Sequence, residues 1–505
     1  NERMAPTVYA IRRQPPSFNR GLLTQEMNGL VTDTLATSAA HPTHSADRSA
    51  HCPPLAPLLR RIALGVRRMW SDESDETGGQ NATDVILHPA PNALARTLES
   101  AVAEPLARLA QATPENADDE DEATQVLRAA LFPVTAQHTY LNHAAVGPLP
   151  APVESTLHAL LRGLSLYGSA VMDGYPAETL ARARYARLIN APPRCVAFTK
   201  NVSDAFMTIA AGLHWQAGDN VVTAEIEFPA NVYPWLNLAE QGVETRFVAA
   251  REGRVAFEDV AACIDERTRL VSLSFVEFGT GFRNNLERLA ALAHARGALF
   301  AVDGIQGMGA LQLDVTASDI DFLASGSAKW LLSPAHVGML YVRPSLLDTL
   351  RVARRGWQSV ATPFDFFDYA QSLREDAGRF EGGSNNFVGL VSLAAALVVF
   401  EAAGMAQIEA RTLALADLIR AGLRERGHTL ISPAGAGERS GILCFRPRSA
   451  GNGSEADMSA LVARLTQGDG VMISARNGLA RVSPHFYNTR QDVARFLAAL
   501  DRALA

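Results

Sequence analysis

From about Thr139 onward the chain alternates short apolar, β-branched runs with longer stretches of three- and four-residue apolar spacing. Seven runs predict strands: 195–199 (CVAFT), 220–225 (NVVTAE), 244–250 (ETRFVAA), 268–276 (TRLVSLSFV), 298–304 (ALFAVDG), 320–327 (IDFLASGS) and 337–343 (VGMLYVR). Between them lie stretches such as NLERLAALAHARG, whose apolar positions at i, i+3 and i+4 predict helices. Alternation of this kind yields an α/β fold, a mostly parallel seven-stranded sheet flanked by helices. After Gly404 a long helix leads into a smaller α+β set: HTLISP, GILCFRP, VMISARN, LARVSPH and a closing helix, DVARFLAALDRAL. The expected organisation is an N-terminal extension at 1–135, a large domain at 136–400 opened by a lead-in at 136–155, and a small C-terminal domain at 401–505.

The extension reads differently. Polar tracts (THSADRSAH, SDESDETGGQNATD) and an acidic run from Glu115 to Glu122 surround two amphipathic stretches, PLLRRIALGVRRMW and ALARTLESAVAEPLARLAQA, each of which predicts a helix. The acidic run reads as a solvated linker or helix face. Arg60, Arg61, Arg67 and Arg68 on the first helix raise a membrane-surface or transit role, but nearby Asp and Glu are too frequent for a transit sequence. His41, His44, His51 and Cys52 match no zinc spacing, so a polar loop is expected and no metal. The sequons at Asn81, Asn201 and Asn452 matter only in a secreted protein.

Composition narrows the function classes. The 505 residues are 48% hydrophobic and 20% charged, which excludes wholesale disorder. A net charge of −7 argues against nucleic acid as a partner. The longest apolar stretch, Leu390 to Phe400, has 11 residues and is too short to span a membrane. Cys52, Cys195, Cys263 and Cys444 are scattered without paired spacing, so free thiols in a reducing, cytoplasmic setting are expected.

Of 46 basic residues only two are lysines, Lys200 and Lys329. Arginine replaces lysine on a surface, but it is never deprotonated and forms no Schiff base. In an open α/β sheet ligands bind beyond the carboxyl ends of the strands. There CVAFT runs into KNVSDAF, where the amides of Val202 and Ser203 and the Ser203 hydroxyl suit a phosphate. NVVTAE runs into EFPANVYPW and brings in Phe228; ALFAVDG ends on Asp303, with Gln306 one turn later; IDFLASGS ends just before Lys329. A phosphate cradle, a ring, a carboxylate and an amine at one crevice match what pyridoxal 5'-phosphate requires. Each has a plainer reading: Asp303 and Ser203 as helix caps, Phe228 as core, and Lys200 as a competitor for the amine role.

The segments YLNHAAVGPLP, EFPANVYPW, VDGIQGMGALQLDV, DFLASGSAKWLLSPAHVGMLYV, RFEGGSNNFVG and RVSPHFYNT resemble, in order and spacing, the class V aminotransferase family of fold-type I pyridoxal-phosphate enzymes. That family includes cysteine desulfurases, selenocysteine lyases, isopenicillin-N-epimerase-like proteins and C–S lyases. The resemblance implies Lys329 as Schiff-base lysine, Asp303 as pyridinium partner and Gln306 on the cofactor's phenolic oxygen. It implies Ser203 with Ser325 or Ser327 on the phosphate, and Phe228 where many relatives stack a histidine. It further implies Arg481 on the substrate carboxylate, Asn142 and His143 lining the substrate pocket, and Ser384 reaching the phosphate of a partner subunit in a homodimer.

Departures from the family matter equally. The histidine many relatives carry before the lysine is Ala328, and the stacking histidine is Phe228. A desulfurase also needs a cysteine on a loop shortly before the carboxylate-binding arginine, whereas Cys444 lies far upstream in the apolar run GILCF. The expected reaction is therefore β-elimination from cysteine or an S-substituted cysteine, giving thiol or sulfide, pyruvate and ammonia. Transamination, epimerisation and a catalytically reduced interaction module are the alternatives. Because Asn1 precedes Met4, the chain reads either as starting at Met4 or as cut from something longer. Similar lyase domains occur in polyketide assembly lines, so a biosynthetic role beside a carrier protein or neighbouring synthase domains is a further expectation.

Overall fold

The computed structural model describes residues 122–174, 176–448 and 454–505. The expectations placed on residues 1–121, namely both helices, the His41–Cys52 loop and most of the acidic run, lie outside the described residues.

The seven expected strands form one sheet: β2 (Val196–Thr199), β3 (Asn220–Ala224), β4 (Glu244–Val248), β5 (Thr268–Ser274), β6 (Leu299–Asp303), β7 (Phe322–Gly326) and β8 (Gly338–Val342). Their spatial order is β2-β8-β7-β6-β5-β3-β4. β8 alone runs antiparallel to its neighbours, and the others are parallel. The central strands read as unbroken apolar runs because helices cover both faces. One covering helix is α5 (Leu286–Ala295), which buries Leu286, Leu289, Ala290 and Ala293 at the expected spacing and is capped by Asn285. The apolar stretch around Leu390 is the buried helix α6 (Phe387–Ala403), packed on α3 (Ala177–Leu188). Among the described residues no single helix is long and apolar enough to cross a membrane.

Residues beyond α6 build a second core. Helices α7 (Met405–Glu425), α8 (Glu455–Asp469) and α9 (Arg490–Leu504) bury Ile419, Leu461 and Phe496. They pack with an antiparallel sheet of β9 (Thr429–Leu430), β10 (Leu443–Arg446), β12 (Ser474–Arg476) and β13 (Leu479–Val482) in the order β9-β10-β13-β12. The VMISARN run, expected as one strand, is two. Its first part, β11 (Val471–Met472), pairs in parallel with β1 (Thr139–Tyr140), and the chain breaks at Ile473 before β12. The lead-in thus lies against the C-terminal elements. It then crosses to the large sheet, where Gly147 donates its amide to Ala328 O at 2.8 Å. A Cβ at 147 would stand 2.1 Å from Lys329 O, so only glycine allows that approach.

Candidate active site

Register aligns Ser274, Asp303 and Ala324 across β5, β6 and β7, so their side chains leave the sheet on one face. Asp303 closes β6 and is buried. Its Oδ1 accepts from Ile305 N at 3.0 Å, while Oδ2 has no hydrogen-bond partner. An orphaned carboxylate oxygen in a buried place is costly unless a donor satisfies it. A protonated pyridine nitrogen would fit that need. Burial pushes the Asp303 carboxyl up to about 6, opposed by the Ile305 amide and by Lys329.

Lys329 sits just beyond β7, partly buried, with Nζ 5.6 Å from the centre of the Phe228 ring. Burial brings its ammonium down to about 8; Asp303 opposes this, and Arg481 and Arg476 add to it. Only the neutral amine attacks an aldehyde. The rate at which cofactor-free protein takes up pyridoxal phosphate is therefore expected to rise about tenfold per pH unit below that value and to level off above it. Stopped-flow absorbance follows the uptake, and a flat profile would exclude Lys329 as the reacting amine. Lys200 is exposed at the turn before α4 (Val202–Gly212), its amide bonded to Asp204 Oδ2 at 3.1 Å.

Phe228 is 43% exposed and meets Phe278 edge-to-face at 5.2 Å, so it borders the crevice rather than the core. The Phe278 carbonyl accepts from Arg481 Nη1 at 3.0 Å, and Arg481 Nε donates to Ser474 Oγ at 3.2 Å. Of five guanidinium donors, the remaining Nη hydrogens are left for a carboxylate. Arg481 is 1% exposed, and burial brings it down to about 10.

At α4, Asn201 is the helix cap, its side chain accepting from Asp204 N at 2.9 Å. Ser203 is therefore free of the capping role and, with the Val202 and Ser203 amides, fits a phosphate. Asp204 in the same turn is paired by Arg354 at 2.7 Å.

Three site expectations need correction. Ser325 lies one residue past Ala324, so the pleat turns it to the opposite face, towards Tyr185 of α3. The Ser327 hydroxyl donates to Pro334 O at 2.5 Å and is already committed. His143 is fully buried, with Nδ1 2.9 Å from Ser483 O and Nε2 2.7 Å from Tyr487 Oη, in an aromatic cluster with Trp330 and His485. Burial and His485 hold it neutral, and it supports the lead-in rather than lining the pocket. Asn142 bridges Ser483 and keeps a buried, unpartnered Oδ1. Ser384 is exposed and follows Gly383, which lies against the Trp357 indole.

Other residues went unnoticed in the sequence. Glu227 accepts from Ser274 N at 2.5 Å and Ser274 Oγ at 2.6 Å, next to Asp303 in register, and burial pushes it up to about 8. Glu277, held by Asn284 at 3.0 Å, is raised by burial and by Glu227. Burial thus disfavours the charged form of both. Gln306 accepts from Trp330 Nε1 at 3.0 Å and donates to Ala144 O at 3.1 Å, so the indole beside Lys329 sets which way the amide faces.

A strand-end lysine, an unpartnered buried carboxylate and a helix-start anion cradle on one face of such a sheet define a pyridoxal-phosphate enzyme. The chain belongs to the aminotransferase class-V family, whose pattern matches residues 153–496. A probable cysteine desulfurase of Methanothermobacter thermautotrophicus is 31% identical over 297 residues, covering 57% of this chain and 73% of its own length. An uncharacterized aminotransferase of Bacillus subtilis is 28% identical over 364 residues, 72% of this chain and 94% of that protein. The apo structure of a cysteine desulfurase from Thermococcus onnurineus has a TM-score of 0.66 at 24% identity, covering 74% of this chain and 97% of that one.

Proposed function

We propose that the protein is a C–S lyase that cleaves cysteine or an S-substituted cysteine by direct β-elimination. One observation carries this reading. β12 and β13 are joined by Asn477 and Gly478 alone, with φ of 51° and 70°, the signature of a tight hairpin turn. No loop precedes Arg481 on which a sulfur-accepting cysteine could travel. Cys444 pairs with Arg481 in register but is fully buried, and burial pushes its thiol up to about 12. Relatives named cysteine desulfurase make cysteine the starting point, and the missing loop removes the persulfide relay.

When bound, the cofactor withdraws electrons from the substrate's α-carbon and makes its C–H acidic. Arg481 holds the α-carboxylate by its free guanidinium edge. Asp303 would hold its charge toward the cofactor's ring nitrogen, and the Lys329 amine would take the Cα proton. As that proton leaves, the Cβ–S bond breaks and the thiolate carries away the electron pair; water converts the released 2-aminoacrylate to pyruvate and ammonia. We infer a homodimer as well, supported by the exposed aromatic segment Phe364, Phe366, Phe367 and Tyr369 near Ser384.

The test uses a variant with all four cysteines replaced by serine or alanine, incubated with cysteine derivatives. Thiol and pyruvate in equal amounts at near wild-type rate are expected, with light scattering reading twice the chain mass. Loss of cleavage on Cys444→Ala alone, with circular dichroism unchanged, would put a cysteine back in the chemistry. Amino transfer without thiol release would favour an aminotransferase, and a chain-mass particle would remove the dimer.

A further inference from the structure

The β12–β13 hairpin places two arginines on one face. Register pairs Ser474 with Arg481 and Arg476 with Leu479, and residues two apart on a strand share a face. Arg476 therefore stands on the same side as Arg481 but farther out, at the exposed end of the hairpin. Its one hydrogen bond runs from Nη1 to Ala475 O at 3.2 Å, and among the described residues it forms no ion pair. At the turn, Glu455 accepts from the Gly478 amide at 2.6 Å. The turn also closes towards the site: Asn477 Nδ2 lies 3.8 Å from where a Cβ on Gly279 would stand, next to Phe278. Phe278 meets Phe228, whose ring faces Lys329 Nζ. The positive charge of Arg476 is felt at both Lys329 and Arg481. Of the site's buried carboxyls, Glu227 and Glu277 are both pushed up by burial, which disfavours their charged form.

We propose that Arg476 is a specificity-determining residue that receives a second anionic group at the far end of the sulfur substituent. The preferred substrate class is then an S-substituted cysteine ending in a carboxylate or sulfonate. This rests on the lyase reading above. Arg481, buried and fork-shaped, suits the α-carboxylate, whereas a group reaching Arg476 must project outward from Cα, as the substituent on sulfur does.

The experiment compares S-carboxymethylcysteine with its side-chain amide, S-carbamoylmethylcysteine, which has the same shape and no charge at the far end of the sulfur substituent. Binding to the holoenzyme is read from the change in cofactor absorbance, and cleavage from released thiol. The acid should bind about fivefold tighter, the size of an exposed ion pair, with the gap closing at high salt. Arg476→Gln should bring the acid down to the amide while moving the amide less than about twofold, and Arg476→Lys should keep part of the preference. Equal binding of acid and amide to the wild type, no response to either, or an equal loss for both in Arg476→Gln would overturn the proposal. An acid preference in binding without thiol release from either compound would sink the lyase reading and leave Arg476 in its role.

Discussion

Lys329→Ala is expected to yield a folded, colourless protein whose turnover has fallen on the order of 10⁴-fold, the upper range for loss of a proton-transferring group. Two functions vanish together: the amine that anchors the cofactor and the base that reaches the Cα proton. No substitute lies nearby, because the only other lysine, Lys200, is exposed at the start of α4. Fold stability should hold or rise. The native state binds the Lys329 proton less tightly than the unfolded chain does, so ionised Lys329 costs stability below pH 8. Borohydride reduction of the wild type followed by peptide mass spectrometry should place the cofactor on the Lys329 peptide, with no adduct in the variant. An adduct on Lys200 would reassign the site.

Asp303→Asn should retain the colour and lose the rate. Asparagine keeps an oxygen for the Ile305 amide, so the local turn survives and the substitution isolates the charge. A carboxylate in hydrogen-bond range raises a neighbouring cation's pKa by about 1–3 units, which is roughly 1.4–4 kcal/mol. Loss of that stabilisation from the electron-accepting ring should slow Cα–H exchange about 10- to 10³-fold. Deuterium incorporation at Cα from heavy water measures it directly. Near-normal exchange in the variant would reduce Asp303 to a turn-former.

The roles proposed for Lys329 and Asp303 were legible because their chemistry is written in residue type and place. Among 44 arginines a lysine at a strand end has a function arginine cannot take over, and a carboxylate closing a buried strand needs a partner. The hairpin before Arg481 was legible too, since Asn477–Gly478 is a turn signal, but VMISARN read as one strand hid it. Ser325 shows the limit of spacing. It stands close to Lys329 in sequence, yet a shift of one residue along a strand sends the side chain to the other face.

The sequence by itself determined the sheet's seven strands and singled out the candidate amine and carboxylate, because periodicity and side-chain chemistry are local properties. Tertiary structure decided what those groups face. Strand pairing put Ser274 and Glu227 beside Asp303, the crossing lead-in buried His143 against Tyr487, and the Trp330 indole oriented Gln306. The hairpin set Arg476 beside Arg481. Apart from the hairpin, each of these depends on residues from different segments meeting within hydrogen-bond distance, where burial shifts the charge of the titratable ones. Neither is encoded in the spacing of any single segment.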